Sequence, residues 1–509
     1  MDFNAHKEQI SICETNFQGN AEYSVDCDIT LPEYLPDIVR ILKCTCAPGI
    51  TSYQINGDRI SAEGTCLVRV LYICEQGKVR CFEQTQGFSK QLELKTADAT
   101  DVFVSAKTDY VNYRVSGQRR FEVHGAITIF AKANCKKNCE FIASAEGDGI
   151  TIQQEKNEIC NLVCVCEKSF SVSETLDPSS ITEPIGAIIS SCASPIINEV
   201  KVISNKIFLK ADLNIKTALT LQDSCDIETF ESVIGINQII EAPEITDECT
   251  LDVALSLLNL DIRNRFDSAG NKNLLEASAV LNLSVCGYKT QSTTTIKNAY
   301  STKYECDTKR AIIYVPTLEE KIDDTFLCRG VCDLGTSGVS KVHSFICNDV
   351  TSKFSVGDSV VNVNGEITAD IIYDDINGET LFAQRQIPFE YSKPLQCNKD
   401  VISCQPVTTI SAYSFMISDS NHLDARVEIN LHGFVFGETE KSIITDISVD
   451  KSKCKKIQTA SLTIYFAEAQ ESLWKIAEKY NTTVEAIIRE NNIPDGIIEK
   501  KCKLLIPRV

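Results

Sequence analysis

The chain has 509 residues, 43% of them hydrophobic and 24% charged, a globular balance that excludes a disordered chain. At about 100–200 residues per domain, the length predicts about three to five domains. Asp and Glu number 70 against 50 Lys and Arg, a formal charge of −20. A surface that negative repels phosphate backbones and argues against a nucleic-acid partner.

In chain order, the first predicted element is a short helix or turn over Pro36, Asp37, Ile38, Val39, Arg40, Ile41 and Leu42, where Pro36 suits a first helical turn. Ile60 to Tyr72 then alternates apolar and polar residues and turns at Gln76-Gly77, which predicts a β-hairpin. Phe121 to Ala131 predicts a second hairpin. Ile207 to Leu219, a turn near Asp223-Ser224, and Leu274 to Val285 repeat the pattern. Val361 to Tyr373, a turn at Asn377-Gly378, and Ala425 to Phe436 repeat it again.

These segments are internal copies, the feature to settle before any fold is assigned. Gly64, Tyr72, Gly77 and Phe88 meet Gly365, Tyr373, Gly378 and Phe389 at a constant shift of 301, as Cys27 and Cys46 meet Cys328 and Cys347. A middle copy stands at a shift of about 147: Pro48 meets Pro195, and Cys44 meets Cys192 with one residue of slippage. There Ala211 replaces the glycine of the other two. A period near 150 is too long for a solenoid, whose repeats run about 20–45 residues. Three tandem units follow, at 1–155, 156–305 and 306–450. A two-layer antiparallel domain is the simplest burial for such half-apolar strands. The fold class expected is mainly β: three tandem antiparallel, sandwich-like domains, then a small βααβ domain.

After a linker at 451–458, the stretch 459–509 changes period. Leu462 to Phe466 is strand-like; Leu473, Ile476, Ala477 and Tyr480 fall at helical spacing, with Ser472 as candidate N-cap. Val484, Ile487 and Ile488 mark a second helix, with Thr482 and Glu485 as a capping box. Lys503 to Pro507 closes as a strand. The motifs Ser472 to Tyr480, Asn481 to Val484, Asn491-Asn492-Ile493-Pro494 and Leu504 to Pro507 resemble a LysM domain. That resemblance implies a groove between the strand–helix loop and the helix–strand loop, which in the family takes N-acetylglucosamine glycans. The family's Gly-Asp-Thr or Gly-Asp-Ser is here Ala469-Gln470-Glu471-Ser472, and Lys501 replaces a glycine. Losing glycine removes close backbone approach, and the altered loop is compatible with a protein ligand. The candidate partner-binding residues are Ala469, Gln470, Glu471, Ser472, Trp474, Asn491, Asn492, Ile493 and Pro494.

The repeat units resemble SPOCS domains, through Pro36-Asp37-Ile38, Ile41-Leu42, Val70-Leu71-Tyr72 and the Gln-Gly turn of the first unit. Three such units before one LysM-like tail resemble the SipL-like family of clostridial spore-coat morphogenesis proteins. The resemblance implies a non-enzymatic spore-coat scaffold whose tail docks a coat morphogenetic ATPase of the SpoIVA type. It implies other coat proteins as partners, and a route from the mother-cell cytoplasm to the forespore surface and spore coat. Two other readings stand beside it: a self-associating, disulfide-cross-linked structural protein of the coat, exosporium or an appendage, and a peptidoglycan binder.

The chemistry-bearing residues support no reaction. There is no GxxxxGK[ST], GxSxG or HExxH motif, and no cofactor or metal is expected. The five histidines, His6, His124, His343, His422 and His432, lack a partnered nucleophile. Asp323-Asp324 and Asp374-Asp375 read as turn residues. No apolar run approaches the ~20 residues of a membrane span, and the N-terminus has no signal core, so a reducing cytosol is expected. The 24 cysteines then read as buried core residues, late cross-links, or, for Cys135, Cys139, Cys160, Cys164 and Cys166, a thiolate cluster without the CxxC spacing of zinc sites. Trp474 is the only tryptophan, a core anchor or a contact residue.

Overall fold

The computed structural model describes residues 4–93, 101–147, 149–222, 226–243, 245–266, 268, 270, 274–335, 338–357, 359–396, 401–404, 406–455, 461–493 and 497–508. The first six strands are β1 (Asn4–Thr30), β2 (Ile38–Asn56), β3 (Arg59–Cys74), β4 (Val79–Glu93), β5 (Asp101–Val115) and β6 (Arg120–Glu146). They form two antiparallel three-stranded sheets, β2-β3-β4 and β1-β6-β5. The expected hairpin turn is present, with Gly77 at φ 73°, a conformation glycine adopts freely. Phe121 to Ala131 belongs to β6, where it pairs with both β1 and β5.

The pattern recurs twice. β7 (Ile150–Leu176), β8 (Ile185–Ile203), β9 (Lys206–Leu221), β10 (Ile227–Glu241), β11 (Thr250–Arg265) and β12 (Leu274–Ser301) form β8-β9-β10 and β7-β12-β11. The turn expected near Asp223-Ser224 lies outside the described residues. β13 (Tyr304–Asp333), β14 (Lys341–Gly357), β15 (Val360–Asp374), β16 (Thr380–Pro394), β17 (Val401–Cys404), β18 (Val407–Ile417) and β19 (His422–Cys454) form β14-β15-β16 and a sheet in which β13, β17 and β18 all pair with β19. Each unit is therefore a two-layer sandwich with its own apolar core. The strands of successive units part after Glu146 and after Ser301, so residues 150–155 already belong to β7 and Tyr304 to β13.

Two local expectations are corrected. Glu33-Tyr34-Leu35 forms the turn, but Ile38 to Leu42 is the start of β2 and not a helix; its β-branched Ile38, Val39 and Ile41 favour extended backbone. Asp323 and Asp324 lie inside β13, opposite His432 and Leu431. Asp324 accepts hydrogen bonds from Tyr391 Oη (2.6 Å) and Lys393 Nζ (2.9 Å), and Tyr391 beside it holds its carboxyl below the usual carboxylate range. Asp375 is a turn residue, accepting from the backbone of Asn377 and Glu379.

The wear in the middle copy has a packing cause. In units one and three a glycine lies directly opposite an aromatic ring, Gly64 against Phe88 and Gly365 against Phe389. A Cβ at Gly365 would stand 2.5 Å from the Phe389 ring and closer still to Thr351 O. In unit two Ala211 faces Ile236, and the smaller partner leaves room for a methyl. The ring-over-glycine pair is one solution to that site and the Ile–Ala pair another.

The first and last strands of each unit continue past its sandwich as a two-stranded ribbon. An isolated ribbon is marginal in water, and these three pack on one another instead. Ile142, Ile296 and Ile444 from β6, β12 and β19 join Ala145, Ala299 and Ile447 in one buried cluster. The members are repeat-equivalent: Ile142, Ile296 and Ile444 each lie three residues before Ala145, Ala299 and Ile447. A second cluster joins the sandwiches, with Leu71, Ala218 and Ile372 meeting at the shifts of 147 and 301. Around it β4 lies against β8, β10 against β14, and β16 against β2. That is a closed cyclic arrangement with a pseudo-threefold axis, a heterologous contact that closes after three steps. Lys43 and Asp370 tie units one and three by a half-buried ion pair, and Thr229 Oγ1 donates to His343 O at 3.2 Å between units two and three.

Ile296 is fully buried at the ribbon axis. Ile296→Ala is expected to cost about 2–5 kcal/mol, read as a lower urea midpoint by far-UV circular dichroism. Gly365→Ala is expected to cost about 1–3 kcal/mol through overpacking. Adding Phe389→Ile should recover part of that loss in a double-mutant cycle, and the remainder belongs to the contact with Thr351 O.

Candidate functional site

The chain leaves β19 at Cys454 and forms a small module: β20 (Leu462–Ala467), α1 (Leu473–Lys479), α2 (Val484–Asn491) and β21 (Cys502–Pro507), with β20 and β21 antiparallel. Ser472 takes the N-cap position of α1 without a side-chain cap bond. Thr483, not Thr482, caps α2, accepting from Ala486 N at 3.1 Å; the Thr482 hydroxyl instead donates to Pro507 O at 2.7 Å. Leu473, Ile476, Ala477, Ile487, Leu504 and Ile506 make the module's core.

The structure distributes the candidate residues unevenly. Ala469, Gln470, Glu471 and Ser472 form the first loop, with Gln470 at φ 62°. Gln470 N donates to Ile498 O at 2.7 Å, which ties the two groove loops to each other. Lys501 Nζ adds an exposed pair with Glu468 at 2.5 Å. Glu471 accepts from Tyr465 Oη (2.5 Å), and that bond holds its carboxyl below the usual range. Asn491 is structural: its amide donates to Ile487 O (2.8 Å) and Leu505 O (2.6 Å) and accepts from Leu505 N (2.7 Å), pinning α2 to β21. Asn492 is the left-handed C-cap at φ 53°, and Ile493 packs partly into the core. Pro494 lies outside the described residues, as does 456–458 of the linker.

Trp474 is 9% exposed and packs edge-on against Tyr300 of β12, with ring centroids 4.9 Å apart. The exposed apolar side chains of the module lie elsewhere. Leu462, Ile464 and Phe466, alternate residues of β20 and so on one face, are 41%, 54% and 68% exposed, and Ile497 is 62% exposed. The sequence marks Leu462 to Phe466 only as strand-like; which side of the alternation faces outward is fixed by the helices packing on the other side.

The described cysteines do not converge on a site. Cys46 and Cys66 form a disulfide between β2 and β3. Cys164 belongs to the core of unit two, whereas Cys160 lines a cavity of about 500 Å³ between the ribbons of units two and three. The side chains of Cys135 and Cys139 lie outside the described residues. Among the described residues no group of three or more His, Cys, Asp or Glu side chains could hold a metal ion. Burial pushes the thiols of Cys44, Cys81 and Cys347 up to about 12, which keeps them protonated and unreactive.

The first unit matches the family model for the SipL SPOCS domain over residues 37–116, and the module matches the LysM domain over residues 469–507. The chain therefore carries a SipL-type SPOCS domain and a LysM tail. Neither a curated protein nor a solved structure matches it. The SPOCS domain marks the chain as sporulation-related, and the LysM domain is a binding module for peptidoglycan or partners. Among the described residues, no helix is long and apolar enough to cross a membrane.

Asn491 is the module's central polar tie. Asn491→Ala should lower its stability by about 1–3 kcal/mol, because the groups it satisfies are left unpaired. The loss should appear as an earlier thermal transition in Trp474 fluorescence, with the far-UV transition of the three units unchanged.

Proposed function

We propose that the chain is a non-enzymatic scaffold of the spore coat, with its LysM module docking a coat morphogenetic ATPase of the SpoIVA type at the forespore surface. The bare apolar face of β20 carries this reading. Three large apolar side chains on one strand face of a small module form a surface suited to a protein contact. A sugar site needs convergent polar groups in a concave pocket, and the first loop lacks the family's glycine. The three joined sandwiches supply a large body for coat assembly, in which polar pairs such as Asn157–Thr295 and Lys43–Asp370 tie strands and units together.

The cross-linking alternative has less support. Among the described cysteines outside the Cys46–Cys66 pair, only Cys454 is exposed. A lattice of intermolecular disulfides needs reachable thiols.

The proposal separates two surfaces of the module. Phe466→Glu, at a position already 68% exposed, should leave the melting curve unchanged and lower capture of the purified ATPase at least about tenfold, the effect of losing one hot-spot side chain of about 1.4 kcal/mol. Substitutions at Gln470, Glu471 or Ile493 test the groove in the same assay. Capture that survives Phe466→Glu and fails only with the groove variants would transfer the contact to the groove. Capture of peptidoglycan but not of the ATPase by the wild-type chain would overturn the proposal.

A further inference from the structure

The LysM module meets unit two at an aromatic residue with no counterpart in the other units. Tyr300 lies near the end of β12, beside the junction to unit three. Its ring joins the module's core cluster and meets Trp474 edge-on at 4.9 Å, a favoured aromatic geometry. Its hydroxyl donates to Thr482 O, in the turn between the two helices, at 2.7 Å. Burial pushes the phenol up to about 12, so it remains a donor at neutral pH. Lys455, the last described residue before the module, holds its ammonium 6.0 Å from the same ring, and its backbone N–H donates to Lys303 O at 2.9 Å. The repeat-equivalent positions, four residues beyond Ile142 and Ile444, are Glu146 and Ser448. Neither offers a ring, so this seat exists on unit two alone.

We infer that Tyr300 is a positioning residue that fixes the LysM module to the end of the ribbon stalk, so that module and stalk move as one body. Its contacts take up α1 and the turn after it. The β20 face remains outward, and the orientation of that face is set by unit two. Only this last consequence rests on the docking function proposed above; the anchor itself stands on the geometry.

The single tryptophan makes the anchor measurable in the full chain. Time-resolved anisotropy of Trp474 in the wild type should decay with the slow tumbling of the whole chain. Tyr300→Ala should add the fast component of a small module, shift emission to the red and raise acrylamide quenching. Tyr300→Phe keeps the ring and loses the hydroxyl, and should fall between the two. The docked-to-free ratio should drop on the order of tenfold in Tyr300→Ala. A fast component already dominant in the wild type overturns the inference, and that result does not depend on any variant folding. So does a Tyr300→Ala chain, intact by far-UV circular dichroism, whose anisotropy matches the wild type. ATPase capture by Tyr300→Ala is a separate arm. If the wild type captures nothing, the docking function fails while the anisotropy still decides the anchor.

Discussion

The two-stranded ribbon is the constraint on which the architecture depends. A sandwich can bury the inner half of its first and last strands, but not a ribbon that runs on beyond the second layer. Ile142, Ile296 and Ile444 are apolar residues that no unit can cover alone, and full burial of one such side chain contributes about 1.5–3 kcal/mol. Three ribbons supply that cover to each other. The cyclic contacts among the sandwiches repeat the logic at the other cluster, where Leu71, Ala218 and Ile372 meet. The repeat is thus a requirement of packing as well as a record of duplication.

β3, β9 and β15 were legible because period-2 alternation and glycine turns are local signals, whereas Phe121 to Ala131, Leu274 to Val285 and Ala425 to Phe436, expected as hairpins, each lie within a single strand. The first and third copies were legible through Gly64 and Gly365 with Phe88 and Phe389, and the middle copy through Pro195 and Cys192. The association of the units was not, because an alternating strand reads the same whether its apolar face meets its own second layer or a neighbouring ribbon. The start of β2 misled for a related reason: Ile38, Ile41 and Leu42 fit a helical spacing, while their β-branched neighbours and the pairing with β3 decide for a strand. Tertiary pairing overrode a local pattern there.

At the module, the motif residues located the fold, and several of them have structural roles. Asn491 belongs to the LysM-like motif, and its place there has a structural reason, since it joins α2 to β21. Trp474 is buried between the module and Tyr300, and the partner that buries it lies in another unit with no motif around it. An aromatic standing where the sister repeats carry Glu146 and Ser448 was the one available signal. The outward apolar residues of β20 belong to the same strand whose inward residues define the module, so their meaning emerges only once the helices are known to lie on the other side.

The placement of the chain crossings has a mechanical consequence. Asn4, the junctions after Glu146 and Ser301, and the exit at Cys454 all lie at the same end of the ribbons, since Asn4 pairs with Glu146 and Tyr304 with Cys454. Successive units are therefore joined covalently at the ribbon ends, away from the sandwiches. Under load the three sandwiches can part like petals by opening the shared cluster around Leu71, Ala218 and Ile372 and the Lys43–Asp370 pair, while the peptide bonds that unite them stay gathered at the base. Such a body yields by splaying open at one end before its backbone carries tension.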